Sequence, residues 1–356
     1  MLKTLQQQIA DATASARPLQ IRGGGSKAAW LRPLAGEPLA SLDIGGWRGI
    51  VDYAPTELVI TVKAGTPLAE LYAVLAAERQ MLACESPCLN AQATVGGTLA
   101  TAWAGPRRPY AGGVRDQVLG ISMINGNGEL LRFGGRVMKN VAGFDVSRLM
   151  VGSHGSLGLI VEASLKVWPC PAAELTLQFE MHEADAILQL NRWAGLPLPL
   201  SASHWRSGVL HIRLSGAEAA IQAARRQLGG EVCQDGARLW QTLSEEIGPP
   251  ASHLNANQDL WRLSLPPHTP PWPELPCMQV EWGGGLRWLG LRPDQSHRLI
   301  TLASAANGHA RLWQATDSGP RPGQPPSAAS LALHRRIKSA FDPAGIFNPG
   351  ILFEGV

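Results

Sequence analysis

Three glycine-rich stretches put backbone amides where they could hold an anion. Arg22-Gly23-Gly24-Gly25-Ser26-Lys27 follows a short apolar run. Ala93-Thr94-Val95-Gly96-Gly97-Thr98 precedes small residues of helical character, and Gly152-Ser153-His154-Gly155-Ser156-Leu157-Gly158 leads into Leu159 and Ile160. Glycine admits positive φ and lets another group approach the backbone. Successive N–H groups in a glycine turn converge on phosphate oxygens, and Arg22 and Lys27 flank the first turn with positive charge. At the second stretch a helix N-terminus would favour an anion. Taken singly, each reads as readily as a tight turn. Together they fit one long ligand carrying a pyrophosphate and an extended ring system.

Rival chemistries fit less well. Gly23-x-Gly25-x-x-Ala28 after a strand, with Asp43 downstream, matches the spacing of a dinucleotide fingerprint. That motif needs a helix next, and Pro33, Gly36 and Pro38 interrupt the segment. Proline inside a helix costs roughly 3 kcal/mol. No G-x-x-x-x-G-K-[ST] loop occurs, and Ser26 lacks the second glycine and the helix of a nucleophile elbow.

The elements that must carry these stretches follow from periodicity. Helix is expected over 3–15, strand over 18–22, 41–44, 49–52 and 58–64, and helix after Thr66 as N-cap with Pro67 at its first position. Val95 to Trp103 reads as a short helix. A hairpin spans 118–133 around Asn125-Gly-Asn-Gly128, and a strand runs over 159–167. Beyond residue 170 strands and helices alternate in an antiparallel rhythm, up to a Pro/Gly/Ser-rich loop at 317–330 and a final helix over 331–341. The fold class is therefore α+β. The expected domains are residues 1–170, a second domain over 171–330, and a C-terminal segment, 331–356.

With 356 residues the chain is long enough for two cores. The net charge of +3 without a basic run argues against nucleic acid as a partner. Cys84, Cys88, Cys170, Cys233 and Cys277 are odd in number and irregularly spaced, so neither zinc nor an iron–sulfur cluster is indicated. Reduced thiols and a cytoplasmic location are expected, with no signal peptide and no spanning segment. Any membrane association would be peripheral. Trp205, Trp240, Trp261, Trp272, Trp282, Trp288 and Trp313 crowd the second half, and some are expected at a partner interface.

The order of these motifs resembles the FAD-binding domain of the vanillyl-alcohol oxidase, or p-cresol methylhydroxylase (PCMH), type. Residues 22–27 are similar to its first pyrophosphate loop. Thr94–Thr98, with Pro87 upstream and Gly105 downstream, is similar to its second flavin segment. Val151-Gly-Ser-x-Gly-Ser-Leu-Gly-Leu-Ile-x-Glu162 is similar to the segment running beside the flavin, and Asp342-Pro-Ala-Gly-Ile-Phe-Asn-Pro-Gly350 to its closing motif. Ala104–Tyr110, Gly113–Asp116 and Arg132–Asp145 narrow the likeness to the family of FAD-binding glycolate oxidase (glycolate dehydrogenase) subunits of bacteria. Glu281–Trp288 and Ala306–Ala310 carry it more weakly.

The resemblance implies a two-domain PCMH-type fold whose C-terminal segment returns to the FAD domain. It implies FAD held by Arg22, Gly23, Gly24, Gly25, Ser26, Lys27, Pro87, Thr94, Val95, Gly96, Gly97, Gly105, Gly152, Ser153, Gly155, Gly158, Ile160 and Asn348. It also implies a complex with a related FAD-binding catalytic subunit and an iron–sulfur subunit, oxidising glycolate to glyoxylate. His154 is the first histidine in the chain, so a histidine tether in the first loop is excluded and the FAD is expected to be non-covalent. No Glu-His-Gly stretch occurs. His309 and Arg311 are the catalytic candidates. The expected role is electron transfer or assembly, with the substrate chemistry on the companion flavoprotein. The alternatives are a self-sufficient 2-hydroxy-acid dehydrogenase using His309, Arg311 or Arg287, and a scaffold with an empty flavin site.

Overall fold

The computed structural model describes residues 1–28, 39–136, 144–249, 251–316, 324–353 and 356. Pro33, Gly36 and Pro38, positions 137–143 of the Arg132–Asp145 motif, and residues 317–323 of the 317–330 loop lie outside them. The chain divides into two compact units: 1–103 with 112–170 and 325–356, and 104–111 with 171–324.

The first unit is built on a five-stranded antiparallel sheet. Its order is Ile50–Ala54, Val59–Lys63, Leu159–Lys166, Val118–Ile124, Leu130–Gly134. The strands Leu19–Arg22 and Ala40–Asp43 pair separately and in parallel. Val59–Lys63 is buried on both faces, and Ile60 and Val62 are fully buried. The helix Leu68–Ala77 buries Leu68, Leu71 and Leu75. Its N-cap is Pro67, one residue later than expected. The Thr66 hydroxyl is occupied elsewhere, accepting from the Gly49 N–H at 2.9 Å.

The hairpin turn expected at 125–128 is present, with Asn125 Oδ1 accepting from the N–H groups of Asn127 and Glu129. Both chain ends grip it. Gln6 donates to the Gly128 carbonyl, Thr13 to that of Gly126, and the Gly126 N–H donates to the carbonyl of Phe341. The tail then adds to the first strand, where the Leu19 N–H donates to Ile346 and the Asn348 N–H to Leu19.

The second unit is an eight-stranded antiparallel sheet. Its order is Glu231–Val232, Ala173–Glu180, Val209–Gly216, Leu200–Arg206, Gln279–Glu281, Leu286–Leu291, Asp259–Ser264, His309–Gln314. Strand side chains alternate between faces. One face carries Leu177, Leu210, Ile212 and Val280 against the helices Glu183–Ala194 and Glu218–Leu228. The same face carries Trp261, Leu263 and Leu289 against Ser296–Ala305. The other face carries the polar residues His204, His211, Gln279, Glu281, Arg262 and Arg311, beside Leu286, Trp288 and Trp313.

Five of the seven tryptophans expected to crowd this region are buried: Trp205, Trp240, Trp261, Trp288 and Trp313. They are core and give no reason to place an interface there. Trp272 and Trp282 are half-buried.

Candidate functional site

A cleft of about 290 Å³ opens in the first unit. All six residues of 22–27 line it, together with Thr94, Gly96, Gly97, Gly155, Gly158, Ile160 and Asn348. The three glycine-rich stretches, far apart in sequence, therefore meet at one cavity. Gln20, Ile21, Ile44, Ala100, His154 and Ile351 line it too. Sequence reasoning missed these because they signal only strand, helix or loop.

The three stretches do not act alike. In the second, the N–H groups are already used: Val95 donates to Thr66, Gly96 to Ala64 at 2.7 Å, and Gly97 to the Thr94 hydroxyl. The expected anion cradle at that helix start is thus closed off by its own fold. In the third, Gly152 donates to Leu99 and His154 to Ala100. A Cβ on Gly158 would come within 2.4 Å of Met123, so its missing side chain makes room for protein. In the first stretch, by contrast, the N–H groups of residues 23–27 have no hydrogen-bond partner among the described residues. Arg22 curls over this turn, its Nη2 3.1 Å from where a Gly25 Cβ would stand.

Pro87, Val95, Gly105, Gly152 and Ser153 were expected at the site but are not among the residues lining the cleft. Val95 and Ser153 are buried in the wall behind it. Gly105 belongs to the second unit, where its carbonyl accepts from Trp282 Nε1 at 3.1 Å.

The tail braces the wall. Asn348 Oδ1 accepts from the Ile21 N–H at 2.9 Å, and its Nδ2 donates to the His154 carbonyl at 2.7 Å. Lys338 Nζ donates to the carbonyls of Ser156 and Phe347, each at 2.7 Å, and pairs with Asp342 at 2.8 Å.

At Gly24 the turn is built without side-chain space. A Cβ at Gly24 would lie 1.6 Å from the Gln92 carbonyl oxygen, a backbone atom that cannot swing aside. Gly24→Ala is expected to cost about 1–3 kcal/mol and to deplete bound flavin. Urea unfolding and flavin content per chain measure both. Parental values for the two would show that the loop has slack the geometry denies.

The residues present fit FAD. Unpartnered amides, Arg22 and the Lys27 ammonium suit a diphosphate, and no Asp or Glu among the described residues lines the cleft.

In the second unit, His309 and Arg311 share the polar sheet face. His309 stands opposite Ser264, and Arg311 opposite Arg262. Burial, then Arg311 and Arg262, lower the His309 pKa. The guanidiniums of Arg108 and Arg262 both stack on Trp282, 4.4 and 5.3 Å from its centroid. Arg287 is not part of this group. It is fully buried and ties a loop, donating to the carbonyls of Thr269, Pro270 and Gly284. Among the described residues no group of three or more His, Cys, Asp or Glu could hold a metal ion.

Comparison with known proteins agrees with this geometry. The FAD binding domain family matches residues 2–134, and the C-terminal domain family of FAD linked oxidases matches 326–352. The chain is 44% identical to glycolate oxidase subunit GlcE of Escherichia coli (strain K12), covering 99% of this chain and 97% of that one. It is 40% identical over 96 residues to glycolate oxidase subunit GlcD of Bacillus subtilis (strain 168), 27% of this chain and 20% of the other. In fold it is similar to alkyldihydroxyacetonephosphate synthase, with a TM-score of 0.65 at 16% identity over 97% of this chain and 74% of that one. The chain thus belongs to the FAD-linked oxidoreductases of the PCMH type, in the glycolate oxidase GlcE family.

Proposed function

We propose that this chain is the FAD-holding subunit of a multi-subunit glycolate oxidase, supporting electron transfer or assembly while a related flavoprotein subunit oxidises glycolate to glyoxylate. An iron–sulfur subunit completes the complex in this reading. The observation that carries the cofactor site is the run of amides at 23–27, unpartnered among the described residues, beside Lys27. Bound FAD supplies a two-electron acceptor, and the chain's own residues bind and orient it. The first unit is the FAD domain and the second the partner or cap domain. A cytoplasmic location, peripheral to the membrane through the complex, agrees with the lack of any helix among the described residues long and apolar enough to cross a membrane.

The purified chain is expected to be yellow and to release its flavin on acid denaturation. A yellow pellet would point to a tether, with His154 the lining side chain to test. Glycolate added without partners is expected to leave the flavin oxidised. In the assembled complex, His309→Ala should lower activity by less than about tenfold, whereas a general base contributes roughly 10²–10⁴-fold. A loss of that size with FAD and assembly intact would make this chain catalytic.

A second reading has an observation behind it. Like charges directly opposite on neighbouring strands are destabilising, yet Arg262 and Arg311 are so placed, with Arg108 on the same indole as Arg262. Glu281 on the same face attracts Arg262, and a substrate carboxylate beside it would offset the repulsion further, as in a self-sufficient hydroxy-acid dehydrogenase. Bleaching of the isolated chain by glycolate favours that reading. A colourless chain that takes up no FAD leaves only a scaffold.

A further inference from the structure

Lys27 is an unusual group to find in this wall. It lines the cleft, yet its Nζ is shut off from solvent and has no hydrogen-bond partner among the described residues. Its contact is the Trp103 ring, 5.7 Å from Nζ to centroid. A buried ammonium without a partner is costly, because water no longer solvates it. Burial accordingly pushes the Lys27 pKa down to about 8, while Cys88 nearby works weakly the other way.

The surroundings do little to hold the charge. Arg22 and Lys27 are the only lysine or arginine side chains among the described lining residues, and no carboxylate among them lines the cleft. Arg22 and Asp43 end the paired strands beside the turn, aligned with each other. The small-residue helix contributes Thr94 and Thr101, the third stretch His154, and the tail Asn348. None of these supplies a fixed negative charge.

Resting on the reading of this cleft as the FAD site, we infer that Lys27 couples cofactor binding to protonation: its amine takes up a proton when the anionic dinucleotide enters, so FAD affinity falls at alkaline pH. The diphosphate supplies the negative charge that the protein withholds. Its own ionisation does not change between pH 7 and 9, so the linkage belongs to the protein. A ligand that favours the protonated amine raises its pKa, and by linkage a higher pH opposes binding.

FAD titrated calorimetrically onto the flavin-depleted full-length chain tests this. The titrations run at pH 7 and pH 9, each in two buffers of different ionisation enthalpy. FAD should bind about tenfold more weakly at pH 9 than at pH 7 and take up roughly one proton at pH 9. Lys27→Met should bind more weakly at pH 7 and lose both the pH dependence and the proton uptake. Lys27→Arg, whose charge is fixed, should bind with equal affinity at the two values. Unchanged affinity and no proton uptake in the parent would overturn the inference while leaving the FAD site standing. Proton uptake that persists in the arginine variant would assign the linkage to another group and overturn it too. No FAD binding by the parent at either pH would defeat the cofactor reading itself.

Discussion

Lys338→Met is expected to cost about 3–5 kcal/mol and to strip FAD from the first unit. Lys338 and Asp342 form an ion pair that is almost wholly buried, with side chains 8% and 0% exposed. Removing one partner of such a pair leaves an uncompensated buried charge, which sets the magnitude. Asp342 would keep the N–H groups of Ile346 and Phe347 as partners, at 3.1 and 2.8 Å, but lose its counter-ion. The lysine also joins two walls. Its bonds to Ser156 and Phe347 fasten the third glycine stretch to the tail, one residue from Asn348, which itself lines the cleft. Flavin release should therefore precede the main unfolding transition in urea. The double variant Lys338→Met/Asp342→Asn should regain part of the loss, because it removes the stranded carboxylate. If the single variant unfolds with the parent and retains its flavin, the brace is not structural in this way.

Acid sensitivity of the second unit is expected to follow His204. Its imidazole is buried on the polar sheet face, between His211 and Glu281 on the neighbouring strands, and neither ring nitrogen has a close hydrogen-bond partner among the described residues. Burial, with His211 opposite and Arg206 on the same strand, pushes its pKa down from 6.5 to about 3, with Gln279 acting in the opposite sense. Above pH 6.5 the ring is neutral whether the chain is folded or unfolded, and its titration costs nothing. As pH falls below 6.5 the unfolded chain takes up a proton that the folded one refuses until about pH 3. Stability is lost through that window, by about 2 kcal/mol at pH 5 and at most about 5 kcal/mol near pH 3. His204→Phe removes the titration along with two unsatisfied nitrogens. Comparing urea unfolding of parent and variant at pH 7.5 and pH 5 isolates the effect. Equal losses in the two proteins would assign the acid limb to other groups.

Much of the local structure was legible from one dimension. The helix expected over 3–15 and the strand over 159–167 lie within one residue of those bounds in the fold, since periodicity needs only nearby residues. The Asn125-Gly-Asn-Gly128 turn was legible for the same reason: its hydrogen bonds close within five residues. The glycine spacing also marked out three stretches that do meet at one cleft.

What separates those stretches was decided only in three dimensions. Nothing in Thr94-Val-Gly-Gly says that Ala64 and Thr66 will consume its amides, while those of 23–27 stay unclaimed among the described residues. Hydrogen-bond accounting needs the partner, and the partner is some thirty residues away. The order of the eight-stranded sheet was hidden for the same reason, because antiparallel strands of similar pattern can exchange places without altering local periodicity. The tryptophans show it in another way. Indoles suit a core as well as an interface, and only the packing of the sheet against its helices sent Trp205 and Trp261 inward. Arg287 and Arg262 lie on neighbouring strands of that sheet. Which one ties a loop and which joins a cationic face was set by strand parity, as one side of the pleat meets carbonyls and the other meets Arg311 and Trp282.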